Sequence, residues 1–232
     1  MSGVASPRFP LYVTGDTEAP RAVIVLQEAF GVNHHIRGVA DRLGDANFFA
    51  VAPHLYHRDG SPEIPYGDLD SAKEAMSHLH AEGLRNDLDA TTDFLSSLGY
   101  HARSVGAIGF CMGGSVAFFA ATLSTVGAAV SFYGGGVTSS RMGLAPLLEL
   151  APKLRAPWLG FYGDLDSGIP TEEVERLRVA TAQSAVATEI VRYPDAQHGF
   201  HCDERPSVFH EAAAHDAYAR ALAFLDAQLA AK

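Results

Sequence analysis

Cysteine is scarce: Cys111 and Cys202 are the only two in 232 residues, too few for a disulfide framework. A chain of this kind is expected to fold on its apolar core and to keep free thiols in a reducing, cytoplasmic compartment. Cations are also short. Seventeen Lys and Arg against 27 Asp and Glu leave a net charge of −10, with no basic cluster. That balance argues against nucleic acid and against anionic membrane surfaces as partners. No apolar run reaches the length of a membrane span. The opening Met-Ser-Gly-Val-Ala-Ser-Pro-Arg lacks the apolar core of a signal peptide. Internal repeats, low-complexity tracts and composition shifts are missing too, so one domain over residues 1–232 is expected. Apolar residues, at 47% against 19% charged, are enough for a sizeable core.

What the chain does have is concentrated between residues 104 and 123. Ser104 to Ile108 reads as a buried strand, and the small-residue run from Gly113 to Leu123 as a helix. Between them stands Gly109-Phe-Cys-Met-Gly-Gly114, the G-x-S-x-G nucleophile-elbow pattern with cysteine in place of serine. So tight a turn leaves no room for side chains beside the nucleophile, and Gly109, Gly113 and Gly114 provide that room. The sulfur is then held at a helix N-terminus, whose partial positive charge favours the reactive thiolate.

The rest of the chain alternates strands and helices. Strands are predicted at Leu11–Val13, Ala22–Gln27, Phe48–Ala52, Gly127–Phe132, Ala156–Tyr162 and Thr188–Tyr193. Helices are predicted at His34–Asn47 (apolar face Ile36, Val39, Ala40, Leu43), at Asp70–Leu98 with a break at Gly83, at Thr171–Gln183 with Thr171 as its cap, and at Val208–Leu229. An irregular stretch is expected around the first strand, over residues 1–20. The fold class is α/β, a mostly parallel central sheet with helices on both faces.

In such a sheet, functional groups collect on loops at the carboxyl ends of strands. Four loops qualify, carrying Glu28, Cys111, Asp164 with Asp166, and His198. The chain order Cys, Asp, His is that of the α/β-hydrolase triad. The thiolate would attack an acyl carbon, His198 would move the proton, and an aspartate would orient the imidazole. Spacing alone leaves Asp164 and Asp166 open for that third role. Phe30, Tyr56, Tyr66, Tyr133 and Phe200 sit on loops near the mouth, where they either wall the pocket or pack under the loops; Phe30, Tyr133 and Phe200 are read as substrate-binding. No set of histidines and cysteines has zinc-type spacing, so neither metal nor cofactor is expected.

Four segments together resemble the dienelactone hydrolase (carboxymethylenebutenolidase) family, within the α/β-hydrolase fold. They are Gln27-Glu-Ala-Phe-Gly-Val-Asn33, Gly109-Phe-Cys-Met-Gly-Gly114, Gly163-Asp-Leu-Asp166 with Ile169-Pro170, and His198-Gly-Phe200. The resemblance implies a hydrolase of small esters or lactones, working through a Cys111–His198–Asp166 triad and a thioester, as a monomer or weak homodimer. It selects Asp166, three residues before Ile169-Pro170. It gives Glu28 contact with the thiol and control over thiolate formation, and it places the oxyanion hole at the N–H groups of Ala29 and Met112. Arg205 matches one of two substrate-holding arginines of the family, with Phe30, Tyr133 and Phe200 nearby. The second arginine has no counterpart between Pro62 and Gly83, where Lys73 is the only Lys or Arg and Arg58 and Arg85 flank the segment. Two other readings are a class I amidotransferase-like glutaminase, whose downstream His-x-Glu pair this chain lacks after Cys111, and a hydrolase fold kept as a binding module.

Overall fold

The computed structural model describes residues 9–232, so the first eight residues of the irregular start lie outside it. Seven strands make one sheet: β1 (Leu11–Thr14), β2 (Arg21–Leu26), β3 (Phe48–Pro53), β4 (Val105–Phe110), β5 (Ala128–Phe132), β6 (Trp158–Gly163) and β7 (Thr188–Tyr193). Their order is β1-β3-β2-β4-β5-β6-β7, and only β1 runs antiparallel. Strands β3 to β6 are buried at every residue. That burial on both faces explains why they read as continuous apolar runs instead of alternating ones.

Seven α-helices are described: α1 (His34–Asp45), α2 (Leu69–Ser77), α3 (Ala81–Ser97), α4 (Met112–Ala121), the short α5 (Leu147–Leu150), α6 (Thr171–Thr181) and α7 (Glu211–Gln228). Helix α1 packs on β1 to β3 and touches α7, where Arg42 lies over the Tyr218 ring at 5.6 Å. Helices α3, α4, α5 and α6 contact one another in series. Right-handed crossovers in opposite directions from the sheet centre put these two groups on opposite faces. The direction changes after β2: the chain first goes outward to β3, then returns to β4 on the other side. That switch point opens a crevice at the carboxyl ends of β2 and β4, the place where open α/β sheets bind ligands.

Three local expectations are corrected. Gly83 does not break the helix pair. The break lies at residues 78–80, and Gly83 sits in the first turn of α3, donating its N–H to His80 Nδ1 at 2.9 Å. A Cβ on residue 83 would collide with that capping ring, so the glycine serves the cap. Thr171 is not the cap of α6: Pro170 holds the cap position with extended backbone and Thr171 is the first helical residue. The last helix starts at Glu211, not Val208, because His210 Nδ1 accepts the Ala213 N–H and defines the cap. Among the described residues, no helix is long and apolar enough to cross a membrane.

Candidate active site

The turn between β4 and α4 is the sharp reversal that the glycines imply. Cys111 has φ 55° and ψ −117°, a region that side-chain-bearing residues avoid. Such strain persists only where the surroundings over-determine it. Here the Cys111 N–H donates to Phe132 O (3.0 Å), and the Gly114 carbonyl accepts the Ser131 hydroxyl (2.7 Å). That hydroxyl in turn accepts the Trp158 indole N–H (2.9 Å), so β5 and β6 brace the start of α4. A side chain at Gly109 would run into the Gly113 backbone, and one at Gly113 into the backbone of Leu26 and Gln27.

His198 and Asp166 come to this elbow from the loops after β7 and β6. His198 Nδ1 faces Asp166 Oδ2 at 2.6 Å, and Asp166 Oδ1 accepts the Gly168 N–H at 2.8 Å. Asp166 is nearly fully buried, whereas the His198 side chain keeps 35% of its surface, enough for a substrate to reach the ring. Burial opposes charge on His198. The Cys111 thiolate and the Asp166 carboxylate outweigh it and push the imidazole up to about 10. His198 thus stands with Cys111 and Asp166 both favouring its charged form. Asp164, the other aspartate of that loop, is engaged elsewhere, in a two-pronged ion pair with Arg192 at 2.7 and 2.8 Å.

Ala29 lines a cavity together with Cys111, and Met112 follows Cys111 in the chain. Among the described residues, neither backbone N–H donates to a protein acceptor. Met112 opens α4, where the first N–H groups have no partner within the helix. Tyr56 is the group that ties the two together. Its hydroxyl donates to Ala29 O at 3.1 Å and lies 3.3 Å from Met112 Sδ. Sequence pattern gave it only a place on a loop near the mouth. Tyr56→Phe is therefore expected to lower kcat on an activated ester by about three- to tenfold with little change in KM, read by steady-state kinetics.

Glu28 follows β2 and is 1% exposed. Its Oε1 accepts the Tyr133 hydroxyl at 3.2 Å, while Oε2 is buried with no partner among the described residues. It shares a cavity of about 200 Å³ with Cys111, His198, Phe30, Lys73 and Arg205. The Arg205 guanidinium lies over the rings of Phe30 and Tyr66 at 5.7 and 5.5 Å, which aims it at this cavity. Tyr133 and Phe200 do not wall the pocket, against their reading as substrate-binding. Both are fully buried beneath it, Tyr133 as the hydroxyl donor to Glu28 and Phe200 packed between Tyr133 and Tyr193. Apolar area won over loop position in both cases.

The main cavity, about 920 Å³, opens over Cys111 and His198 and is walled by Leu69, Met76, Met112, Met142 and Ile169. Lys73 and Arg141 are its two cations. Arg141 was not singled out by the sequence, where it is one residue of a long loop. Arg58 is held by the buried Asp87 at 2.8 Å through both terminal nitrogens, and Arg85 pairs with Asp89 at 3.7 Å on the surface. Neither of these lines the cavity.

One possible ligand set for a metal was not visible in the spacing. Glu28, His35 and Cys202 each bring one donor atom within 4.8 Å of the others. All three are already hydrogen-bonded, Glu28 Oε1 with the Tyr133 hydroxyl at 3.2 Å, Cys202 Sγ with the Tyr66 hydroxyl at 3.2 Å and His35 Nδ1 with Asp203 Oδ1 at 3.2 Å. Burial and the nearby Glu28 charge push the Cys202 thiol up to about 12, so it keeps its proton at neutral pH. The group is a hydrogen-bonded cluster behind the nucleophile.

The sequence pattern of the "Dienelactone hydrolase family" matches residues 9–229. A Synechocystis protein named "Putative carboxymethylenebutenolidase" is 35% identical over 223 residues, covering 91% of this chain and 90% of that one. A Salmonella typhimurium protein of the same name is 39% identical over 204 residues, covering 86% of this chain and 74% of that one. The crystal structure of a "Putative Dienelactone Hydrolase" from Klebsiella pneumoniae superposes with a TM-score of 0.81 at 34% identity, covering 94% of this chain and 92% of the other.

Proposed function

Because the chain belongs to the dienelactone hydrolase family, with its α/β-hydrolase fold, it is a hydrolase of carboxylic esters and lactones, and we propose that it cleaves them through Cys111 by way of a thioester. The observation that carries this reading is the convergence of His198, Asp166 and Cys111 at one wall of the large cavity, with the imidazole 2.6 Å from the carboxylate.

The thiolate of Cys111 adds to the substrate carbonyl carbon. The oxygen takes up negative charge against the N–H groups of Ala29 and Met112, which have no acceptor to give up among the described residues. The imidazolium of His198 then gives its proton to the departing alkoxide as the tetrahedral carbon collapses to a thioester. In a lactone the new hydroxyl stays on the acyl chain. His198, now neutral, takes a proton from water, the hydroxide adds to the thioester, and Cys111 leaves as thiolate. Asp166 holds the ring in the orientation both steps need. Glu28 governs when the thiol gives up its proton. The apolar walls accept the acyl part of a small ester or lactone, and Arg205 and Lys73 offer charge to a substrate that carries a carboxylate. The protein is read as cytoplasmic, acting as a monomer or weak homodimer without a cofactor.

Acid quenching during turnover of 4-nitrophenyl acetate, followed by peptide mass spectrometry, is expected to find the acetyl group on the Cys111 peptide. Acetylation confined to other residues would sink the thioester route. Since His198 carries its proton until about pH 10, kcat/KM is expected to fall as pH rises through that value, because neutral imidazole cannot protonate the leaving alkoxide. A rate that stays level to pH 11 would contradict the ion pair.

A further inference from the structure

Two cavities meet at the nucleophile. The larger, about 920 Å³, and the smaller, about 200 Å³, share Cys111, His198, Leu69, Lys73 and Met76. They lie to either side of Cys111. Ala29 and Phe30, from the loop after β2, wall the smaller one, and Gly135, from the loop after β5, walls the larger. Cys111 follows β4, which stands between those two strands. Each cavity has a cation of its own, Arg205 in the smaller and Arg141 in the larger. Lys73 belongs to both and pairs with Asp70 at 3.4 Å, so it does not tell one from the other.

Arg141 has no carboxylate partner among the described residues, whereas Arg37, Arg58 and Arg192 each grip one at 2.7 or 2.8 Å. Backbone holds Arg141 in place instead. A Cβ on Gly135 would come within 3.1 Å of its Nη1, and one on Gly136 within 3.4 Å of its Cγ and Cδ, so the side chain runs along these two glycines. The Gly135 carbonyl accepts the Ser115 hydroxyl at 2.7 Å, which ties this strip of backbone to the helix that starts after Cys111. On the other side, Met142 and Gly143 both take left-handed backbone, with φ 53° and 69°. The Leu144 N–H closes that turn on the Arg141 carbonyl at 2.8 Å. A methionine in this conformation is strained, and such strain persists only where the surroundings over-determine it. The turn presents Arg141 and Met142 together to the cavity.

The charge balance of the cavity differs from that of the chain. The whole chain carries −10, yet this cavity holds two cations. Its one carboxylate among the described residues, Asp166, is buried and already engaged with His198 and the Gly168 N–H. A cleft with apolar walls and one sign of charge draws the opposite charge, and a guanidinium fork matches the edge of a carboxylate.

We infer that Arg141 binds a carboxylate at the far end of the substrate's acyl chain, which makes half-esters of dicarboxylic acids the class this cavity fits. The inference rests on the reading of Cys111 as the acyl acceptor and of the apolar walls as the acyl site. The chain lies along Leu69, Met76, Met142 and Ile169, with its ester carbonyl at Cys111 and its carboxylate at Arg141. Hydrolysis adds one water across the ester bond and releases the alcohol and the dicarboxylate. Arg205 stays available to the part of the substrate in the smaller cavity.

The test compares kcat/KM of the full-length protein for two esters with the same acyl chain, mono(4-nitrophenyl) adipate and the uncharged methyl 4-nitrophenyl adipate. Wild type is expected to favour the charged ester by about tenfold, the worth of one charge-assisted contact. Arg141→Gln should remove that preference, and Arg141→Lys should restore part of it. Arg205→Gln should leave the preference as it is in wild type. Arg141 is exposed, so its variants should fold. A purely structural role would slow both esters alike and leave their ratio unmoved. The inference is overturned if wild type does not favour the charged ester, if the preference survives Arg141→Gln, or if Arg205→Gln abolishes it instead. In each of these cases, turnover of the uncharged ester that Cys111→Ala loses keeps the acyl-transfer reading intact. Turnover of both esters by Cys111→Ala at the wild-type rate would overturn that reading and this inference with it.

Discussion

Cys111→Ala is expected to cut kcat/KM for 4-nitrophenyl acetate by at least about 10⁴-fold, because removing a covalent nucleophile leaves only the oxyanion donors and binding. The thermal melt should stay within a degree or two of wild type. The side chain is only partly buried, and alanine keeps the backbone strain of φ 55° that cysteine already bears. Cys111→Gly offers an internal control. It removes the sulfur and also relieves the strain, so it should be as inactive as the alanine variant and melt higher. Stopped-flow release of 4-nitrophenolate in the wild type should show a burst equal to the enzyme concentration, and both variants should lack it. Turnover by Cys111→Ala within tenfold of wild type would end the nucleophile reading and return attention to the idea of a binding module.

Asp166→Asn is expected to lower kcat by about 10³- to 10⁴-fold with KM nearly unchanged, as for other triads whose carboxylate is neutralised. The geometry should survive, since the carboxamide oxygen of Asn can still accept the Gly168 N–H now held by Oδ1 at 2.8 Å. What goes is the charge at 2.6 Å from Nδ1. Burial then acts on His198 with one fewer opposing charge, and the ring loses its proton at lower pH. The descending limb of the pH profile, near 10 in the wild type, should therefore move toward neutral pH. Asp164→Asn separates charge at the loop from charge at the imidazole. It frees Arg192 from a paired carboxylate and should cost stability of about 1 kcal/mol with kcat within twofold of wild type. If the two variants lose activity equally, the loop needs both acids for its shape and Asp166 has no special place in the array.

The elbow was legible in the chain because its physics is local. Gly109, Cys111 and Gly113 lie within five consecutive residues, and the clash that forbids side chains there is set by one turn of backbone. The strands were legible for a similar reason: burial on both faces writes an unbroken apolar run. Helix ends were less so. Thr171 has the usual capping chemistry and is not the cap, while His80 and His210 cap through ring nitrogens, a use that residue type alone does not announce. Tyr133 and Phe200 were placed at the mouth because they follow strand ends, and the core claimed their rings instead.

By itself the sequence determined the element order, the strained turn that presents Cys111, and the three other loops that carry its candidate partners. Spacing left Asp164 and Asp166 open until the family resemblance selected Asp166; tertiary structure alone decided that Tyr56 ties Ala29 to Met112, that Arg141 reaches the cavity, and that Glu28 lies beside Tyr133 and His35. The reason is range. Turn sterics and side-chain periodicity act within a few residues, whereas a hydrogen bond such as Tyr133 to Glu28, 105 positions apart, or His35 to Asp203, 168 apart, exists only after the sheet has set its strand order.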